Sequence, residues 1–354
     1  MTGQPEIDIR PIDDVSALAP LWLDLERRSD GSFFQSWAWT GCLAGIRFPD
    51  PWLLTARRGG ELVGLGLFNR GRPGRLGLSR RLLLGETGET ERDAVFIEHN
   101  GLLLDRREDD ALARSCWAAL ARSRIGGIEW ILSGVGSATP TILPNDRRVR
   151  VTARRPAPYF DLTGSDVPVI DRLSANSRQQ LRRSLRAWER VGPLTLEFAA
   201  DGDRADSFLD ALAALHQRYW TRRGKPGAFA SPFFMRFHGA LIGRPSAGQS
   251  VDLIRVAAGD RTIGYLYNFV HHGWVAAYQS GFDFGPDADA LRPGLICHLA
   301  AMEHYRRAGI RLYDFLGGEA RYKRSLANAE AELLWLEVRP QSPWQSVLRA
   351  VSSS

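Results

Sequence analysis

An internal repeat constrains this chain more than any other feature. The run Leu54-Thr-Ala-Arg-Arg-Gly-Gly-Glu-Leu-Val-Gly-Leu stands 200 positions before Ile254-Arg-Val-Ala-Ala-Gly-Asp-Arg-Thr-Ile-Gly-Tyr, so that Gly59 meets Gly259, Val63 meets Ile263 and Gly64 meets Gly264. Two β-type runs across a glycine step are a hairpin signal. Farther on, Gly126-Gly-Ile-Glu-Trp-Ile resembles Ala308-Gly-Ile-Arg-Leu-Tyr, and each follows a helical run, at 109–124 and 293–307. Two matches in the same order point to duplication of one α+β unit, and 354 residues leave room for two such units.

Apolar periodicity fills in the rest. Residues 14–28 read as an amphipathic helix with Leu18, Leu21, Trp22 and Leu25 on one face, and 36–46 as a second. Helices are also expected at 208–219 and 232–242, a hairpin at 251–258 and 262–270, and strands at 274–280 and 310–315. The stretch 147–158 is rich in Arg and Pro and reads as a linker or crossover, and 71–77 as a basic loop. The expected division is a first unit over 1–150, a second over 151–340 and a tail over 341–354.

With 44% hydrophobic and 24% charged residues, the composition is that of a globular protein. No window approaches the ~20 apolar residues of a membrane-spanning helix. The first ten residues carry Glu6, Asp8 and Arg10 and lack the apolar core of an export signal. Cys42, Cys116 and Cys297 are odd in number and far apart, which suits a reducing cytoplasm and offers no disulfide framework or zinc site. His271-His272 has no further ligands beside it, so no metal is expected. Walker, G-x-G-x-x-G, G-x-S-x-G and H-E-x-x-H patterns are absent.

The net charge of +6 rests on 46 basic residues of which two, Lys225 and Lys323, are lysines. A coding bias toward arginine explains most of this, but position adds information. In 174–190, Arg178, Arg182 and Arg186 fall at i, i+4, i+8 beside Arg183 and Arg190. Either this is a solvated basic face, or Asn176 and Arg178 meet an anion at the helix N-terminus. Later, Tyr278-Gln-Ser-Gly-Phe-Asp283 precedes Arg292-Pro293-Gly294, with Pro293 suited to a first helical position. A strand feeding a helix N-terminus can hold a pyrophosphate, or Pro-Gly can be a plain turn. The last cluster is Tyr313-Asp-Phe-Leu-Gly-Gly-Glu319 with Arg321-Tyr-Lys-Arg-Ser325.

These residues carry a resemblance. Ser174, Asn176, Arg178, Leu181, Arg182, Arg183, His216, Trp220, Tyr278, Ser280, Gly281, Asp283, Pro293, Gly294, Asp314, Phe315, Gly318, Tyr322 and Lys323 meet a pattern of separated motifs in order. The chain thereby resembles the CelD/BcsL group of GNAT acyltransferases, whose domain is called BioF2-like and is related to the Fem peptidyltransferases. The resemblance covers most of 33–338. It implies two tandem GNAT-like units, each a mixed, largely antiparallel twisted sheet flanked by helices. It also implies acyl transfer from a thioester to an amine or sugar acceptor in envelope, polysaccharide or lipid biosynthesis. The usual pyrophosphate loop is represented only by Arg292-Pro293-Gly294, so an aminoacyl-tRNA donor of the Fem kind stays open. A non-catalytic scaffold in an envelope-synthesis complex is the third reading. The first unit lacks the Pro-Gly helix start and the Tyr-Lys pair, and is expected to be non-catalytic.

Acyl transfer needs a polarised carbonyl, a neutral amine and a protonated leaving group. Tyr278 is the expected acid, and His216, Asp283 and Asp314 are candidate bases. Arg292, Gly294 and Ser280 are expected at the donor; Asn176, Arg178, Arg182, Arg183, Trp220, Tyr322 and Lys323 at the substrate. No tightly bound cofactor is implied; acyl-CoA serves as co-substrate. The implied partners are this donor and a small-molecule, sugar or lipid-like acceptor, not DNA. tRNA ranks below acyl-CoA, and peripheral membrane contact stays open.

Overall fold

Paired glycines shape the first hairpin. Gly59 and Gly60 take φ of 58° and 82°, the left-handed pair that a two-residue turn matching strand twist requires. They join β2 (Pro51–Arg58) to β3 (Glu61–Gly71). A computed structural model describes residues 3–71, 81–164, 166–199, 202–243, 249–285 and 291–341. The chain divides into two compact units, Met1–Arg154 with Glu332–Ser354, and Arg155–Ala331. Both are mixed α/β, largely antiparallel sheets with helices against them.

In the first unit β1 (Glu6–Pro11) edges β2 and β3; β4 (Arg81–Leu84) follows, β5 (Leu103–Leu104) pairs with β3, and β6 (Glu129–Gly136) runs parallel to β4. The helix Asp110–Arg122 is capped by the Asp109 carboxylate, which accepts from Ala111 N–H at 2.9 Å. It buries Leu112, Cys116, Trp117 and Leu120, at about 1.5–3 kcal/mol for each large side chain taken from water. Trp117 stacks on Trp130 of β6 with centroids 5.7 Å apart.

Four expectations change here. The Arg- and Pro-rich stretch is not a linker but a 15-residue strand, β7 (Arg147–Asp161). Val149 and Val151 pack on the first unit's core, while Arg150 and Arg154 face outward to Glu337 (3.3 Å) and Glu332 (2.8 Å). Residues 332–340 return to the first unit rather than closing the second, because Leu333–Val338 lie antiparallel to Gly136–Trp130 of β6. The helix expected over 36–46 is two short ones, Trp37–Thr40 and Ala44–Arg47, separated at Leu43, whose φ of 49° no helix tolerates. Similarly, 14–28 contains a 3-10 turn, Ser16–Leu18, and the helix Ala19–Glu26. The basic loop beyond Gly71 and the tail beyond Gln341 lie outside the described residues.

In the second unit, residues 155–161 of β7 precede β8 (Leu194–Phe198), β9 (Gln249–Ala258), β10 (Arg261–His271), β11 (Trp274–Phe282) and β12 (Leu312–Asp314). The sheet order is β7-β12-β11-β10-β9-β8, and among the described strands of this unit only β11 and β12 are parallel. His272 and Gly273, with φ of 48° and 75°, turn β10 into β11. The helices Gly202–Thr221 and Pro293–Arg307 pack on this sheet, with Pro232–Ile242 against the first and Ala175–Glu189 against the second. Its core joins Phe160, Leu181, Trp188, Leu266, Ile296, Met302 and Tyr313.

Candidate active site

Two parallel strands that stop pairing leave a gap, and β11 and β12 do so. They pair only from Trp274/Leu312 to Ala276/Asp314. Beyond this point β11 continues to Phe282, while β12 ends and the chain turns away. Among the described residues no strand covers the β12-facing edge of β11 past Ala276. The register against β10 jumps from Asn268/Ala277 to Tyr267/Gln279, so Tyr278 is the extra residue of a bulge.

Local sequence shapes each side of the gap. Gly281 is required on one face of β11, where a Cβ would lie 2.4 Å from the Leu212 carbonyl oxygen. At the head of the helix Pro293–Arg307, Arg292 is exposed in the left-handed region (φ 46°), and Pro293 fills the first turn. Gly294 lets this helix approach β11, since a Cβ there would lie 2.9 Å from the Phe282 ring. After β12, Asp314 Oδ1 accepts from Leu316 N–H at 2.6 Å and holds Leu316 at φ 60°. Lys323 Nζ donates to the carbonyls of Leu316 (3.1 Å) and Gly317 (2.9 Å), closing the same turn. Asp314 and Lys323 thus build the exit from β12.

Other expected residues fall as follows. Tyr278 is buried inside a ring cage of Phe234, His238, Tyr267 and Phe269, the last at 4.6 Å. His216 uses both nitrogens: Nε2 accepts from Ala228 N–H at 3.4 Å, which leaves Nδ1–H to donate to the Ser280 carbonyl at 3.1 Å. Burial lowers its pKa, so this neutral tautomer persists. Trp220 lies 6.0 Å from the His216 ring, with the Lys225 ammonium 5.4 Å above it. Asp283 keeps a partly exposed carboxylate at the end of β11, 3.9 Å from Arg261.

The arginine helix lies with its far end at the gap. Trp188 Nε1–H, near its C-terminus, donates to the Leu291 carbonyl at 2.9 Å, next to Arg292. Its N-terminal turn sits beside Asp171 instead: Arg178 donates to the Asp171 carbonyl (3.1 Å) and Arg182 pairs with its carboxylate (2.5 Å). That turn packs toward Glu303, which accepts from Val169 N–H at 3.1 Å. Glu303 is eleven residues down the helix from Arg292, about 16 Å at 1.5 Å per residue. Asn176, whose Oδ1 accepts from Gln180, and Arg178 are therefore not brought to the gap, and Arg183 is exposed on the same helix.

Tyr322 does reach the gap. Its ring stacks on His298 with centroids 5.5 Å apart and planes 14° apart, and its hydroxyl has no hydrogen-bond partner among the described residues. Burial pushes its pKa up to about 12. The sequence does not single out His298, although it follows Gly294 on the same helix. A lone histidine on an apolar helix face carries no pattern that separates it from the core.

The segment 175–324 matches the family described as Acetyltransferase (GNAT) domain. The chain thus carries a GNAT acetyltransferase domain, and the match supports acyltransferase activity. A search of curated proteins returns no significant match. Among solved structures, the C-terminal domain (DUF2156) of a putative lysylphosphatidylglycerol synthetase from Agrobacterium fabrum is similar at TM-score 0.55 and 14% identity, over 96% of this chain and 95% of that one. A FemX structure is similar at 0.57 and 11%, over 92% and 96%. The L-PGS structure from Bacillus licheniformis is similar at 0.56 and 11%, over 94% and 96%. These likenesses are of fold. No helix among the described residues is long and apolar enough to cross a membrane.

Proposed function

We propose that this chain is an acyl-CoA-dependent N- or O-acyltransferase whose donor enters the gap between β11 and β12. The carrying observation is that the strands part after Ala276 and Asp314, beside the helix opening at Arg292-Pro293-Gly294. Backbone N–H groups on the unpaired edge of β11 polarise the thioester carbonyl, and the free N–H groups at the helix start receive pyrophosphate. The acceptor amine attacks that carbonyl carbon; its proton passes to Asp283, the one candidate base left partly exposed. The C–S bond breaks as Tyr322 O–H donates to the departing thiolate, and the tyrosine is reprotonated from water. Its raised pKa keeps the hydroxyl protonated until that step. Tyr278, enclosed by rings, is assigned to the core instead.

The acceptor is an amine or sugar in cell-envelope, polysaccharide or lipid biosynthesis, as in the CelD/BcsL type, and an acyl-CoA donor places the reaction in the cytoplasm. Calorimetry and thermal shift with acetyl-CoA, longer acyl-CoAs and free CoA test the reading. Saturable binding with a raised Tm supports it, and no binding to any of them sinks it. The motif resemblance to the Fem relatives, with the pyrophosphate loop reduced to Arg292-Pro293-Gly294, keeps an aminoacyl-tRNA donor as the second reading. Tight, steeply salt-dependent binding of charged tRNA without acyl-CoA binding would put that reading first. A scaffold would bind neither donor.

A further inference from the structure

A chain of buried polar contacts crosses the second unit and ends on one nitrogen. Tyr305 O–H donates to Asp252 Oδ2 at 2.6 Å, which spends its only proton. The Tyr305 oxygen therefore accepts from Asn268 Nδ2–H, at 3.4 Å. Asn268 also lies beside the Tyr313 hydroxyl and acts on it as a donor, which lowers the phenol's pKa against the larger effect of burial. Tyr313 O–H then has His298 Nδ1 as its acceptor, at 2.9 Å. With Tyr313 O–H directed at Nδ1, this order assigns the His298 proton to Nε2.

That N–H has no partner among the described residues, although His298 is only 2% exposed. An unmet buried donor costs about 1–3 kcal/mol, so a native structure rarely keeps one without a use. Burial and the nearby Lys323 ammonium push the imidazole pKa down to about 3, so it stays neutral. Its surroundings are the rings of Phe282 (5.8 Å), Phe315 (5.4 Å) and Tyr322 (5.5 Å), from the two strand ends and the helix beyond. These residues border the gap, so His298 lies at its floor. Phe282 and Tyr322, whose rings lie against His298, are themselves half-buried.

We propose that His298 Nε2–H is a catalytic hydrogen-bond donor to the carbonyl oxygen of the acyl group, held in this tautomer by the Asp252–Tyr305–Asn268–Tyr313 chain. This deepens the acyl-CoA reading and rests on it. A neutral imidazole suits this role because it stabilises developing negative charge on oxygen without surrendering its proton. The apolar ring surroundings fit the acyl end of the donor rather than its phosphates. Tyr322, stacked on the same imidazole, is then placed beside the departing sulfur.

The test is infrared difference spectroscopy of acetyl-CoA carrying an isotope-labelled thioester carbonyl, with calorimetry on the same samples. Bound to the native protein, the carbonyl stretch is expected to fall below its value in water. His298→Phe keeps a ring against Tyr322 and removes the N–H; it should abolish that added fall while acetyl-CoA affinity changes less than about threefold. His298→Gln, which restores an N–H at similar reach, should recover part of it. Tyr313→Phe frees Nδ1 and should lose part, and it serves alone if His298→Phe fails to fold. Once an acceptor is in hand, His298→Phe should lower kcat by ~10²–10³, the usual cost of an oxyanion donor. An unchanged stretch in a folded variant that binds acetyl-CoA overturns the His298 proposal alone. Failure of the native protein to bind acetyl-CoA overturns the acyl-CoA reading and this proposal with it. Nitrogen NMR showing the His298 proton on Nδ1 would also overturn it.

Discussion

In the first unit β4 and β6 pair in parallel from Arg81/Glu129 to Leu83/Ile131; in the second, β11 and β12 do so from Trp274/Leu312 to Ala276/Asp314. Each pair spans three residues and then parts. The first unit closes its opening with its own chain. Asn100 N–H donates to the Gly134 carbonyl (3.0 Å) on β6, and Asn100 Nδ2–H to the Leu84 carbonyl (2.9 Å) on β4. Gly134, at φ 64°, leaves no room for a Cβ, which would lie 2.5 Å from the Ile97 carbonyl oxygen. Two half-buried acids follow β4. Burial, with the Asp93 carboxylate nearby, pushes Glu86 up to about 7, and burial raises Asp93 as well. The second unit offers instead a neutral imidazole, a phenol with no partner among the described residues and a helix start. One architecture thus appears twice, crossed by Asn100 in the first unit and left unpaired past Ala276 in the second.

The comparison breaks first at Tyr322. Tyr322→Phe should lower turnover by ~10²–10⁴, the range for a general acid, with acyl-CoA affinity held within about threefold. Steady-state kinetics beside calorimetry decide this, and an unaltered kcat removes Tyr322 from the mechanism. In the plugged unit, the largest effect is a pH dependence. The folded pKa of Glu86 exceeds that of a free glutamate, so the native state binds the extra proton between about 4.5 and 7. Stability must therefore fall as pH rises through this window, by up to about 3 kcal/mol. Glu86→Gln should be more stable than the native protein at pH ~8, with the gain fading toward pH ~5, as followed by thermal unfolding.

Smaller effects sharpen the contrast. Asn100→Ala removes the clamp across β4 and β6 and leaves a buried carbonyl unmet, for about 1–3 kcal/mol. Its Tm should drop while acyl-CoA affinity at the second unit stays the same; weakened binding would mean that the plug serves the donor site. Arg182→Ala breaks an ion pair whose members are 53% and 37% exposed, so urea unfolding should register less than about 1 kcal/mol. Donor affinity should not move, since Arg182 is tied to Asp171 and not to the gap. A large loss of affinity would return the arginine helix to the site.

Much of this architecture was legible because glycine steps and apolar period are local signals. The hairpin glycines, the helix Pro232–Ile242 and the strand that becomes β11 follow from them. β7 escapes a local reading because its arginines and prolines suggest a linker, although Val149 and Val151 already alternate with Arg148 and Arg150. The return of residues 332–340 to the first unit rests on pairing with β6 some 200 positions earlier, which no local pattern encodes. At the site, Gly294 and Tyr322 stood in motifs. The chain from Asp252 to His298 did not, because its members come from β9, β10, β12 and one helix and meet only in the folded unit. Arg178 and Arg182 share a helix face as expected, yet that face meets Asp171, since helix spacing says nothing of what lies opposite.

The central claim is that one opening is a donor site and the other is sealed. Amide hydrogen exchange with and without saturating acetyl-CoA addresses it directly. The account predicts added protection at residues 276–283 and 292–298 and at the turn 314–323, with none at 81–88 or 129–136. Protection in the first unit, or binding without protection along β11 and the head of the helix Pro293–Arg307, would contradict it.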